Sequence, residues 1–355
     1  MKDILINFGS PALGNDAIFS DDINNMNDPW KLLRAKLFEL GYNLKTADRN
    51  SLSNCAWLLF IDEDSLGAKN TPISFRSLLK KILIRKTETI RNLYQEGLNH
   101  GLKDKMALFL WEGKTVKFYN YTKQLYDKFS TIFTWNDDLV DNKKFFKFYL
   151  PIPKHTIIAK TVPFSQKKLL TNISFNKYSS YKNELYSARR KSISYFNDNH
   201  PADFDLYGLR WNRPITRLQT MFPSLVKKYS TFRGHAKNKI SILSQYKFNI
   251  CYENTSSAKG WVTEKIFDSL RSGTVPVYWG AENIAEYVDR NAFIDRREFK
   301  SDKELFDFLN NIDENEYNKY LSAMEKYLTG DNYKLFLPEN FTNTIIKTLN
   351  LKTNL

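Results

Sequence analysis

The stretch Lys247–Gly280, KFNICYENTSSAKGWVTEKIFDSLRSGTVPVYWG, limits more than any other what this chain can fold into. It opens with an apolar run, Phe248 to Tyr252, crosses a polar loop, enters a helical pattern at about Thr263, and closes with a second apolar run, Thr274 to Trp279, ended by Gly280. Ile266, Phe267 and Leu270 fall on one helix face, Thr263 is suited to cap the start, and Gly273 stands just past the last periodic residue. Two strands joined by so short a helix lie parallel with a right-handed crossover, so the segment predicts an α/β sheet.

In such sheets ligands collect at the carboxyl ends of strands and at the N-termini of the following helices, where unpaired N–H groups favour anions. Here that place holds Asn254, Trp261, Val262, Glu264 and Lys265. An aromatic to stack on, a carboxylate for sugar hydroxyls and a cation at a helix start suit a nucleotide diphosphate. The same residue types also make an ordinary solvated first turn, so chemistry alone leaves both readings open.

A length of 355 residues suits two cores rather than one, each of about 150 to 190 residues. The first half alternates strands and helices: Ile4–Phe8, the helix Trp30–Leu40 closed by Gly41, the strand Ala56–Ile61, a basic-faced helix Phe75–Ile90, and the strands Met106–Trp111 and Ser130–Trp135. The pattern changes at FYLPIPKHTIIAKT, which places a domain boundary at 158 and divides the chain into 1–158 and 159–355. Beyond it a strand at Leu169–Phe175, a helix starting after Glu184 and a strand at Phe204–Gly208 form a further βαβ unit. Asn291–Asp295 reads as a short strand, Lys303–Asn310 and Glu314–Leu328 as helices, and FTNTIIKTLNL as a last helix that can pack back on the N-terminal domain.

Cys55 and Cys251 sit far apart in apolar runs and read as small core residues in a reducing compartment. MKDILINFGS reads as a first strand and not a signal peptide, and no run approaches the roughly 20 apolar residues that span a bilayer. The expected location is therefore cytoplasmic. A formal net charge of +14, with clusters at Lys80–Lys81, Lys143–Lys147 and Lys167–Lys168, attracts anionic partners, including an anionic membrane at whose inner face the protein could associate peripherally. No nucleic-acid-binding motif accompanies the charge, so nucleic acid is not an expected partner.

Two strand ends in the first half could carry chemistry. WLLFIDEDSL runs into Asp62-Glu63-Asp64, and an acidic D-x-D at a strand end can hold a divalent cation against a donor diphosphate, although acidic loop starts are frequent. LFLWEGKTV puts Glu112 at the end of an apolar strand, and Asp137 and Asp138 in TWNDDLV follow the next one. His235 reads as an ordinary loop histidine.

The run YKFNICYEN, followed by WVTEKIFDSLRSGTVPVYWG and then NAFID, resembles the C-terminal signature of the glycosyltransferase family 10 fucosyltransferases. The resemblance implies a GT-B fold, two Rossmann-like domains facing across a cleft, with the second binding GDP-fucose and the first presenting an acceptor oligosaccharide or lipopolysaccharide. It implies an inverting α-1,3- or α-1,4-fucosyltransferase like the soluble bacterial members, needing no cofactor and at most stimulated by a divalent cation. By the same resemblance Glu112 stands where the family carries its general base, although Gly113 and Lys114 depart from the residues that usually follow. Arg189, favoured over Arg190 by its spacing to Ile193 and Phe196, and Lys265 would steady the diphosphate, with Lys239 as a second cation. Glu264 would grip the ribose, and Asn254, Trp261 and Val262 would shape the nucleotide pocket. A different nucleotide-sugar transferase, metal-dependent through Asp62 and Asp64, and a basic non-enzymatic binding protein are the alternatives.

Overall fold

The computed structural model describes residues 1–22, 25–67, 91–153 and 162–353. The expected helix Phe75–Ile90, its Lys80–Lys81 pair and the expected boundary at 158 lie outside the described residues.

Six parallel strands form the first sheet: β1 (Lys2–Asn7), β2 (Tyr42–Thr46), β3 (Cys55–Ile61), β4 (Met106–Leu110), β5 (Thr131–Thr134) and β6 (Phe145–Lys147), in the order β2-β1-β3-β4-β5-β6. Five more, also parallel, form the second: β7 (Lys168–Phe175), β8 (Phe204–Leu209), β9 (Tyr246–Tyr252), β10 (Val275–Trp279) and β11 (Ile294–Asp295), in the order β11-β10-β9-β7-β8. Counted from its own first strand, each sheet has its second, first, third, fourth and fifth strands side by side. Each therefore reverses direction between its first and third strands, and such a reversal opens a crevice at the strands' carboxyl ends.

Among the described residues, helices of five residues or more are α1 (Asp28–Glu39), α2 (Leu93–Asn99), α3 (Tyr186–Asn199), α4 (Arg217–Met221), α5 (Lys239–Leu243), α6 (Glu264–Arg271), α7 (Asp302–Asn311), α8 (Glu314–Thr329) and α9 (Pro338–Thr348). Alternation along β1 separates two cores. Ile4 and Ile6 pack with Trp30, Leu33 and Leu37 of α1, whereas Leu5 faces the opposite layer with Leu93 of α2. Around the second sheet, Ile193 and Phe196 of α3 and Ile266, Phe267 and Leu270 of α6 close over Phe248, Ile250, Val275 and Val277. Parallel strands buried on both faces read as unbroken apolar runs, which is why these were legible in the sequence.

Two elements cross between the sheets. Helix α9 returns to the first sheet, where Phe341 stacks edge-on against Trp30 at 5.1 Å and Ile345 and Leu349 join the same core. Trp261, from the loop before α6, enters that core too and meets Trp135 at 4.6 Å.

Strands β2 and β6 and helix α2 carry too short or too polar a pattern to have been expected. The expected strand Asn291–Asp295 is a 3-10 turn at Arg290–Ala292, capped by Asp289, followed by the two residues of β11. Cys251 is buried, and Cys55, at the first position of β3, is partly buried against a core of the first sheet; both are free thiols, and burial pushes the Cys55 thiol up to about 12.

Candidate active site

A cleft of about 390 Å³ opens at the reversal point of the second sheet and faces the first. Its floor comes from Ile173 and Ser174 at the end of β7 and Asn254 just after β9; its wall toward the first sheet comes from Trp111, Glu112, Leu150 and Pro151. The start of α6 points into it. Thr263 caps that helix, its side chain accepting from the Lys265 N–H, as expected.

The cation at the helix start is held by a buried carboxylate that sequence reading left unassigned. Glu253, fully buried, accepts from the Thr263 N–H at 3.1 Å, from the Thr263 hydroxyl at 2.8 Å and from Lys265 Nζ at 3.0 Å. Glu264 lies 3.8 Å from the same ammonium. Burial opposes the charge on Lys265, but Glu253 and Glu264 outweigh it and hold the ammonium above the ordinary lysine range. The Glu264 carboxyl is likewise opposed by burial and is held below its ordinary value by Lys265 and Lys239. Gly280 makes room for this arrangement, because a Cβ there would stand 2.5 Å from Glu253 Cγ and 2.4 Å from the Tyr278 hydroxyl. The ends of β9 and β10 and the start of α6 thus form one unit.

Arg189 lies one turn into α3, buried, with Nη2 donating to the carbonyls of Tyr252 at 2.6 Å and Glu253 at 2.9 Å. Its Nε has no partner among the described residues although it is buried at the cleft. Lys239, first in α5, lines the cleft and lies 3.5 Å from Asp268. From the other side Glu112 presents its carboxyl to the same space. Burial raises its pKa, and Lys265 and Lys177 counter that rise. A carboxyl from the first sheet therefore confronts a cluster of cations from the second.

Residues 186–341 match the family model described as glycosyltransferase family 10 (fucosyltransferase) C-term. In that segment the chain is similar to the family 10 C-terminal domain. Over 95 residues it is 39% identical to the alpha-(1,3)-fucosyltransferase FucT of Helicobacter pylori, covering 27% of this chain and 20% of that one. Over 86 residues it is 36% identical to an alpha-(1,4)-fucosyltransferase of Arabidopsis thaliana, covering 24% and 21%. The chain thus spans about a fifth of the length of these curated relatives. A crystal structure of alpha1,3-fucosyltransferase with GDP superposes with a TM-score of 0.54 at 16% identity, covering 98% of this chain and 90% of that one. A DNA-modifying beta-glucosyltransferase superposes over 98% and 100% with a TM-score of 0.53 at 13% identity. The fold is GT-B, as expected.

Within the matched residues 186–341, Arg189, Lys239, Asn254, Trp261, Glu264 and Lys265 all line the cleft. Two expected residues do not. Val262 is fully buried in the core beneath α6, so its side chain cannot shape the pocket. Arg190 points away, donating to the Lys177 carbonyl and to the Ser187 hydroxyl, because adjacent helical positions face about 100° apart. Lys177, Tyr186, Thr263 and His235 are lining residues that sequence reading did not assign. His235 is carried there by the pairing of Gly208 N–H with the Gly234 carbonyl at 2.9 Å, which no local pattern announces.

Outside the matched residues, the D-x-D reading meets a correction. Asp62 is buried and its Oδ1 accepts from the Trp111 N–H at 2.7 Å, the Glu112 N–H at 3.1 Å and Asn120 Nδ2 at 2.6 Å. Its carboxyl, pushed up to about 7 by burial, braces the strand end that carries Glu112, and Asp64 is paired with Lys117. Asp137 binds Lys147, Tyr287 and Asn283, and Asp138 lies 3.2 Å from Lys259, so both tie the two halves together away from the cleft lining. Among the described residues no three His, Cys, Asp or Glu side chains converge as a metal site would require, and no helix is long and apolar enough to cross a membrane.

Proposed function

We propose that this protein transfers L-fucose from GDP-fucose to a hydroxyl of an acceptor glycan with inversion. The observation that carries this is the joint lining of one cleft by Glu112 from the first sheet and by Arg189 and Lys265 from the second. Glu112 takes the proton of the acceptor hydroxyl as its oxygen bonds to the anomeric carbon, and the bond from that carbon to the β-phosphate oxygen breaks with its electron pair leaving on GDP. Lys265, Arg189 and the N–H groups at the start of α6 stabilise the charge that develops on the diphosphate. Attack opposite the leaving group turns a β-linked donor into an α-linked product. Raising the pKa of Glu112 by burial makes it a better proton acceptor, and its cationic neighbours counter that rise.

The acceptor in this reading is a GlcNAc or Glc unit of an N-acetyllactosamine-like or lipopolysaccharide sugar, and the linkage α-1,3 or α-1,4. The net charge of +14 supports peripheral association with an anionic membrane surface. Thermal-shift titration with GDP, UDP and CMP, with and without EDTA, tests the donor. Stabilisation by GDP alone, unchanged by EDTA, is expected; stabilisation by UDP, or loss with EDTA, would refute it. NMR of products from an acceptor panel then fixes the linkage.

A further inference from the structure

Between Asp205 and Glu253 the chain runs through residues 206–252 without one Asp or Glu, and nine of those residues are Lys or Arg. The first part of that stretch also carries a cluster of exposed apolar side chains. Helix α4 and the 3-10 turn Pro223–Leu225 leave Leu218 57%, Met221 72%, Phe222 52% and Leu225 52% exposed. Four neighbouring large apolar side chains, each more than half in water, are rare on a surface that stays in water.

The charges within this stretch have a single sign. Arg210, Arg213, Arg217, Lys227 and Lys228 are all exposed along it. Lys227 lies 2.5 Å from Asp198, and Arg210 donates to the Pro214 carbonyl. No ion pair is formed by Arg213, Arg217 or Lys228 among the described residues. The same stretch of chain reaches the cleft, since Leu209, 43% exposed at the end of β8, lines it together with Phe175.

We propose that residues 209–228 form a membrane-docking face. Leu218, Met221, Phe222 and Leu225 enter the boundary between headgroups and acyl chains, and Arg213, Arg217 and Lys228 meet anionic phosphates. A second copy of this chain fits less well, because a two-fold interface would set this cationic stretch against itself. This face begins at Leu209, which lines the cleft. It thereby gives the peripheral association of the proposed function a defined surface, on which a lipid-borne acceptor would be presented. This last step rests on that reading; the docking itself does not.

The test is co-sedimentation of the full chain with vesicles of phosphatidylcholine alone and of equal parts phosphatidylcholine and phosphatidylglycerol. Binding to the mixed vesicles, weakening with salt, and none to the neutral ones is expected. The variants Met221→Ser/Phe222→Ser/Leu225→Ser and Arg213→Glu/Arg217→Glu should each bind more than about tenfold less, with the GDP-induced thermal shift of the unaltered protein. Equal sedimentation of all three proteins, or none by the unaltered one, overturns the proposal. So does a dimer in sedimentation velocity that the apolar substitutions dissociate, since a second copy would then cover the face. Absence of a GDP shift in the unaltered protein would refute the enzymatic reading and leave the vesicle result standing.

Discussion

Lys265 serves two purposes that one set of variants separates. In the free protein its ammonium is the counter-charge of Glu253, 3.0 Å away and fully buried, while in the proposed complex it faces the donor diphosphate. At that distance, with an effective dielectric of about 20, the attraction is roughly 5 kcal/mol, and removing one partner of such a buried pair typically costs about 3 to 5 kcal/mol. Lys265→Met, which keeps the apolar stem, should therefore lower Tm by on the order of 10 °C for a domain of this size. Lys265→Met/Glu253→Gln removes both charges and should recover all but about 1 to 2 kcal/mol, a coupling that a double-mutant cycle reads directly. Donor binding should not recover with it. Loss of a charge-assisted contact worth about 2 to 3 kcal/mol weakens GDP roughly 30- to 150-fold. At a GDP concentration of about 100 Kd for the unaltered protein, ligand stabilisation then falls from about 2.7 kcal/mol to below about 1. Two results would refute the reasoning: a single variant as stable as the unaltered protein, which removes the ion pair, or a double variant that keeps its GDP shift, which removes Lys265 from the donor site.

Four further outcomes follow from the same geometry. Glu112→Gln should keep the GDP shift and lose about 10² to 10⁴ in turnover. Because burial raises the Glu112 pKa, the acid limb of kcat/KM should lie above the ordinary glutamate range, and Lys177→Ala, which deletes a cation holding it down, should move that limb to higher pH; an unmoved limb contradicts the assignment. The Asp62 carboxyl has a folded value of about 7, above its unfolded one, so the folded protein binds the extra proton between about pH 4 and 7 and loses stability as pH rises through that window. Urea unfolding at several pH values should show this slope in the unaltered protein and not in Asp62→Asn. Trp261→Ala empties a buried site in the first sheet's core that is filled from the second, at a cost of about 3 to 5 kcal/mol, and calorimetry should resolve the single transition into two.

Local sequence determined the long apolar strands and the signature unit, because both rest on short-range regularities. Unbroken apolar runs marked β3, β4, β9 and β10, and Thr263, Ile266, Phe267, Leu270 and Gly273 fixed α6 from cap to stop. Residues next to these markers, such as Lys265 and Asn254, could be placed for the same reason. What tertiary structure alone decided is which groups meet. Glu253 looked like one more strand-end acid until the Gly280 turn and the Thr263 cap closed around it. Val262 and Trp261 are adjacent, yet one lies in the core of its own sheet and the other in that of the opposite sheet. Asp62 had the pattern of a metal ligand, but three N–H and amide donors from a neighbouring strand end and loop had already claimed its oxygen. A residue's type and spacing set what it is able to do, while its partners depend on side-chain direction and on contacts between segments 50 or more positions apart, as with Asp62 and Glu112. Those contacts are selected by burial of the whole, and no short stretch contains them.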